Sequence, residues 1–343
     1  MIALPYAHGQ PTLSAVIRTY PEDFQVEEIL GFEPDEQGEH QLLLVRKRST
    51  NTDWVAKQLA RHAKVKLMDV SYAGLKDRHA ITTQWFSVRL ANKPEPDWQA
   101  LADDNIEFLR ITRHLRKLKR GALKANRFRI RLRNLQGDIA SLEQRLAAVA
   151  QKGVPNYFGE QRFGYNNLAE AEALLAGTTM VADRHKQKLY LSAARSFLFN
   201  EVLAARIKQG YWDSPLAGDV FMLDGTHSIF SIAEADMEIK ARLARHDIHP
   251  TAPLWGQGNL ATTLAALELE QTALAPFPAF CTGLASKGLK QERRAIRIVP
   301  KGLSFTLLEM DQVQIEFELP AGSYATAVLR EICHYTRDLV SGN

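Results

Sequence analysis

With 343 residues, 45% of them hydrophobic and 24% charged, the chain has the composition of a soluble globular protein and the length for two domains, each able to bury a core. It has no stretch of about 18 apolar residues, and Met1-Ile2-Ala3-Leu4-Pro5 lacks the basic and apolar regions of a signal peptide, so neither a membrane span nor export is expected. Net charge is a mild +4, yet eleven Lys and Arg residues and no Asp or Glu lie between Arg110 and Arg133, a density that points to a phosphate-meeting surface more than to a solvated face.

Residues 13–30 are predicted to be extended. Leu13, Ala15 and Ile17 alternate before the turn Tyr20-Pro21-Glu22-Asp23, and Phe24, Val26 and Ile29 follow it. Phe24 opens the second strand; a core phenylalanine is the default reading, and its place at a strand mouth leaves a ligand contact open. His40 to Val45 reads as another strand. Asn51-Thr52-Asp53 supplies N-cap candidates for a helix with Trp54, Val55, Gln58 and Leu59 near one face.

An apolar run then ends in Val70-Ser71-Tyr72, Gly74 relaxes the backbone, and Lys76, Asp77 and Arg78 follow in a row. Trp85, Phe86, Val88 and Leu90 resume the strand pattern. Strand, charged loop, strand can hold one carboxylate rigidly, with flanking cations to keep it ionised. On local features alone, a solvated hairpin turn is the simpler reading.

Residues 91–105, with Pro94 and Pro96, read as a loop, and Ile106 to Ile111 as a strand. Arg127-Phe128-Arg129-Ile130-Arg131-Leu132-Arg133 alternates with period two, which predicts a strand. Asn126, Phe128, Ile130 and Leu132 share one face of it and the four arginines the other. An amide and an aromatic two residues apart suit a planar base, the amide at its edge and the ring on its flat side. The arginine face cannot line that pocket; it must reach flanking phosphates, pair with acids or sit in water.

Asp138 to Gln151 is predicted to be an amphipathic helix stopped by Gly153 and Pro155. Aromatic, glycine-rich residues 156–164 follow, then Ala/Leu-rich helices over 167–176, 190–209, 233–246 and 260–275. After Pro278 strands are expected again, at 297–299, 303–308 and 313–319. Ser323 can cap a last helix with Tyr324 in its first turn. Strand-rich ends around a helical middle suggest one domain interrupted by an insertion, with a junction near residue 155.

Several familiar signals fail. Gly256-Gln257-Gly258-Asn259-Leu260-Ala261 imitates a dinucleotide fingerprint, but His249-Pro250-Thr251-Ala252-Pro253 before it does not read as a strand, so a loop is expected. His246 and His249 have no Cys or carboxylate partners at ligand spacing, and no metal site is expected. Cys281 and Cys333 read as free thiols of a reducing cytosol. What remains is a lone loop carboxylate and a basic strand bearing an aromatic and an amide. An aspartate can act as nucleophile or base without a cofactor, and the basic surface makes RNA or DNA its substrate.

Five blocks of this sequence resemble the TruD family of tRNA pseudouridine synthases, and they occur in family order. They are Pro21-Glu22-Asp23-Phe24-x-Val26-x-Glu28; Gly74-Leu75-Lys76-Asp77-Arg78-His79-Ala80 with Gln84; Lys124-Ala125-Asn126-Arg127-Phe128; Val154-Pro155-Asn156-Tyr157-Phe158-Gly159-x-Gln161-Arg162-Phe163-Gly164; and Leu319-Pro320-Ala321-Gly322-Ser323-Tyr324-Ala325-Thr326. The resemblance implies an α+β fold: a synthase core on a mixed, mainly antiparallel sheet, residues 1–154 plus 301–343, interrupted by a mostly helical insertion, 155–300. It implies isomerisation of uridine-13 of tRNA to pseudouridine by a cytoplasmic, monomeric enzyme without metal or cofactor. Asp77 matches the catalytic aspartate and Arg18 the basic residue that neutralises it, a position often held by lysine. Phe24, Asn126 and Tyr324 match base- and substrate-contacting positions, Tyr324 standing where phenylalanine is frequent. Phe128 matches the aromatic that stacks on the target base. The competing reading is a non-catalytic RNA-binding protein that uses the 110–133 segment.

Overall fold

In the computed structural model, residues 4–164 and 166–337 are described. In chain order the elements are β1 (Ser14–Ile17), β2 (Phe24–Leu30), β3 (His40–Arg48), α1 (Thr52–His62), β4 (Val70–Tyr72), β5 (Ile81–Arg89), β6 (Ile106–His114), β7 (Leu123–Gln136) and α2 (Ile139–Lys152). Then come β8 (Val154–Pro155), α3 (Asn167–Leu175), α4 (Arg184–Lys208), β9 (Val220–Leu223), β10 (Ile229–Ser231), α5 (Met237–Ala244), β11 (Ile248–Leu254), α6 (Leu264–Leu274), α7 (Pro278–Ser286), β12 (Glu292–Ala295) and β13 (Arg297–Ile298). The chain closes with β14 (Lys301–Glu309), β15 (Gln312–Pro320), α8 (Ala325–Ile332) and β16 (His334–Arg337). It divides into two compact units: Thr12–Leu142 with Lys301–Gly322 and Cys333–Asn343, and Met1–Pro11 with Glu143–Pro300 and Ser323–Ile332.

The first unit is built on a ten-stranded mixed sheet in the order β14-β15-β7-β2-β5-β3-β6, with β4 beside β5, and β1 pairing β7 and β16. The β2–β5 and β1–β16 pairs are parallel and the remaining pairs antiparallel. Helix α1 covers one face, burying Val55, Ala56, Leu59 and Ala60 against Leu43, Val45, Phe86 and Val88. Trp54, expected on that face, is 45% exposed. The loop over 91–105 is less plain than its prolines suggested. Its Trp98 is buried in the same cluster and donates its indole N–H to Gln41 Oε1 at 2.7 Å. One large aromatic with its polar atom satisfied anchors the whole connection.

The second unit packs helices around α4, whose Leu198, Phe199, Val202 and Leu203 are buried with Tyr157, Phe158, Trp212, Phe280 and Leu284. It also carries a four-stranded sheet, β10-β9-β11-β12. Two expectations need correction here. Residues 278–286 form α7, with Pro278 at its first turn, where a missing N–H costs nothing. His249–Pro253 lies within strand β11, which pairs β9 over Ile248–Pro250 and β12 over Thr251–Leu254. The partner changes side midway, so each proline can face away from a ladder bond. A strand therefore does precede Gly256, but the following helix, α6, starts only at Leu264, so this stretch is a loop and not a fingerprint.

Candidate active site

The loop between β4 and β5 enters the sheet where Ile81 pairs in parallel with Gln25, so it lies at the same end of the sheet as the turn that opens β2. Arg18 stands at the end of β1 with φ of 62°, a left-handed conformation that costs a non-glycine residue about 1–3 kcal/mol. From there its guanidinium reaches Asp77 Oδ2 at 2.5 Å and lies 4.0 Å over the Phe24 ring. Arg18 is 7% exposed and Asp77 27%. Burial lowers the Arg18 pKa, and the Asp77 carboxylate works against that shift. The second carboxylate oxygen of Asp77 accepts the His79 backbone N–H at 3.2 Å. One oxygen is thus ion-paired and the other only lightly held.

The neighbours of Asp77 in sequence are not its ion partners. Lys76 is directed to Glu28 at 2.7 Å, and the other oxygen of Glu28 accepts the Trp85 backbone N–H at 2.9 Å. Three side chains from separate elements pin the loop. Thr52 Oγ1 donates to Gln84 Oε1 at 2.8 Å and accepts the Lys76 N–H at 3.1 Å, and Gln84 Nε2 donates to Gly74 O at 3.2 Å. Lys47, fully buried, donates to Thr50 O at 2.6 Å and to Asp77 O at 3.3 Å. Desolvation pulls its pKa down to about 8. Asn51 holds the cap position of α1 without a side-chain bond; Thr52 serves the loop, and Asp53 takes the Tyr72 hydroxyl.

Along β7, Asn126 lies level with Glu28 and Leu319, and Phe128 with Val26 and Phe317. The Phe128 ring stacks on Phe317 at 5.4 Å and meets Phe24 edge-on at 6.3 Å. Contacts therefore run from Asp77 through Arg18 and Phe24 to Phe128. Phe128 is 7% exposed and so belongs to the core. Asn126 Oδ1 is buried and has no hydrogen-bond partner among the described residues. Among those residues, too, no group of three or more His, Cys, Asp and Glu is placed to hold a metal.

The family model for tRNA pseudouridine synthase D (TruD) matches residues 3–182 and 165–332. Proteins named tRNA pseudouridine synthase D from Methylococcus capsulatus and Xanthomonas euvesicatoria are 53% and 50% identical, over 97% and 96% of this chain and 94% of each relative. The chain belongs to the tRNA pseudouridine synthase D family. The crystal structure of a provisionally named tRNA pseudouridine synthase D from Methanosarcina mazei shares the fold, with a TM-score of 0.72 over 95% of both chains at 22% identity.

Parts of two family-like blocks, residues 158–162 and 324–326, meet within the second unit around Tyr324. Its hydroxyl accepts from Arg162 at 2.9 Å, and its ring lies 6.2 Å from Phe158. A Cβ on Gly159 would come within 2.8 Å of Thr326 Oγ1 and 3.9 Å of the Tyr324 ring, so glycine lets the two segments close. Helix α8 begins at Ala325, one residue after Tyr324, whose carbonyl accepts the Ala327 N–H at 3.0 Å. Arg18, Phe24, Asp77, Asn126 and Phe128 all belong to the first unit, and Tyr324 to the second.

Three of the four arginines that share one face of β7 pair with acids. Arg127 meets Glu318 at 2.8 Å and Arg129 meets Glu316 at 3.0 Å. Arg133 takes both oxygens of the buried Asp23. Sequence reasoning assigned no role to Lys47 or Glu28. Lys47 had a usable signal: on β3 it shares a face with Leu43 and Val45, where a lysine is out of pattern.

Proposed function

We propose that this chain isomerises uridine-13 of tRNA to pseudouridine, with Asp77 as the catalytic carboxylate. The observation that carries the reading is the Arg18–Asp77 pair, a half-buried carboxylate held by a buried cation from another strand, in a chain of the tRNA pseudouridine synthase D family. The reaction breaks the N1–C1′ bond, turns the uracil and joins C5 to C1′. C5 gives up its hydrogen as a proton, N1 takes one, and no electrons are exchanged. That chemistry asks for an oriented carboxylate and an enclosed pocket rather than a redox cofactor.

In this reading Arg18 neutralises Asp77, and Phe24 and Phe128 border the extruded base. Asn126 offers its unpaired amide oxygen to the N3–H edge of uracil, and Tyr324 contacts the substrate. Extrusion costs a few kcal/mol, which aromatic contact offsets. The synthase core would comprise 1–154 plus 301–343 and the insertion 155–300, acting as a cytoplasmic monomer on tRNA. The test is to incubate the protein with unmodified tRNA and map pseudouridine. Conversion confined to position 13 is expected. Conversion elsewhere would overturn the site, and binding without conversion would favour the RNA-binding reading.

A further inference from the structure

Folding separates the eleven cations between Arg110 and Arg133 into five paired with acids and six, Arg131 of β7 among them, that have no acidic partner among the described residues. Arg110 and Arg113 on β6 face Glu36 and Glu95, while Arg127, Arg129 and Arg133 on β7 are held by Glu318, Glu316 and Asp23. Cations already paired in this way gain less from a phosphate than free ones do. Arg116, Lys117, Lys119, Arg120 and Lys124, in and beside the β6–β7 connection, have no acidic partner among the described residues. Five of the six unpaired cations thus lie in or beside that connection, and Arg131 is the sixth, so the effective positive field is concentrated there more than along β7.

A groove of about 520 Å³ opens beside it, lined by Asp53 and Lys57 of α1, by Tyr72, and by Lys117, Lys119 and Arg120. Four of these six side chains are cationic. The single acid, Asp53, accepts the Tyr72 hydroxyl, and the Arg120 guanidinium lies 6.0 Å from the Tyr72 ring centre. Lys117 is steadied by donating to Met68 O at 2.5 Å. The connection is also fastened to the strand that leads to Asp77. Gly121 N donates to Ala73 O at 2.8 Å, Ser71 Oγ to Leu118 O at 2.8 Å, and Leu118 N to Ser87 Oγ at 3.1 Å. Tyr72 and Asp77 are five residues apart, so their Cα atoms lie within about 17 Å.

We infer that this groove is a second RNA subsite, binding the phosphodiester backbone of the same RNA whose uridine is offered to Asp77. It rests on the synthase reading above and adds a place where the RNA is held. Its electrostatic content is four cations with one hydrogen-bonded acid, on a wall that shares a strand with the catalytic loop. Phosphates bound there would fix the distance between the RNA strand and the reacting base.

The test compares the intact chain with Lys57→Ala/Lys119→Ala/Arg120→Ala, with the charge-preserving Lys57→Arg/Lys119→Arg, and with Arg127→Ala/Arg129→Ala on the paired face. Binding of unmodified tRNA is measured across a salt series, with pseudouridine formation alongside. The alanine groove variant is expected to bind at least about tenfold more weakly, with a log–log salt slope shallower by roughly 2, and to raise KM while sparing kcat. The arginine groove variant should keep the slope, and so should the Arg127/Arg129 variant. Pseudouridine formation by the intact chain with binding indifferent to the groove variant overturns the subsite alone. Groove-dependent binding without any pseudouridine overturns the synthase reading and leaves the subsite standing.

Discussion

Asn126 is the most informative single residue in the candidate site. A buried amide oxygen without a partner forfeits about 1–3 kcal/mol, so removing it should not cost the fold. Asn126→Ala is expected to leave the melting temperature within a degree or two of the intact protein. It should lower kcat/KM for tRNA by about 10–100-fold, because a base edge is then left unrecognised. A large fall in melting temperature with an unchanged kcat/KM would make Asn126 structural. Phe128 is a less clean probe. It is packed between Phe24 and Phe317, and its truncation to alanine costs about 3–5 kcal/mol of core packing whatever it does to the base.

At the scale of elements, the Asp77 loop is held from α1, β3 and β5, and its burial of Lys47 gives it a pH signature. The Lys47 pKa is about 8 in the fold, against about 10.4 for a free lysine. Below pH 8 the folded state bears the cost of a buried cation. Between pH 8 and about 10.4 the unfolded chain holds the proton and the folded one does not, so stability rises with pH through that window. Relative to Lys47→Met, the intact protein should gain on the order of 3 kcal/mol from pH 7.5 to 10.5. Parallel stability curves, measured by denaturant titration at each pH, would contradict this. Much of this scale was legible in the sequence. Strict alternation announced β7 and β15, and apolar spacing announced α1 and α2. Helix α7 was missed because it is short and opens on a proline. Strand β11 was missed because two prolines interrupt it and its pairing changes side midway, which no local pattern displays.

At the scale of the whole molecule, the limits of the sequence are limits of pairing. The charge count located a basic segment but could not say which cations would find acids. Those acids come from residues as distant as Glu316 and Glu318, brought alongside β7 by β15. Likewise, nothing local singles out Arg18 as the partner of Asp77; the family resemblance pointed to it, and the parallel β2–β5 pairing explains how the two ends meet. Among the described residues no helix is long and apolar enough to cross a membrane. The central claim is that a single loop carboxylate carries the reaction, and release of tritium from tRNA labelled at uridine C5 tests it most directly. Asp77→Asn should bind tRNA about as well as the intact chain and release tritium at least about four orders of magnitude more slowly. Turnover within tenfold of the intact chain would show that the chemistry resides elsewhere.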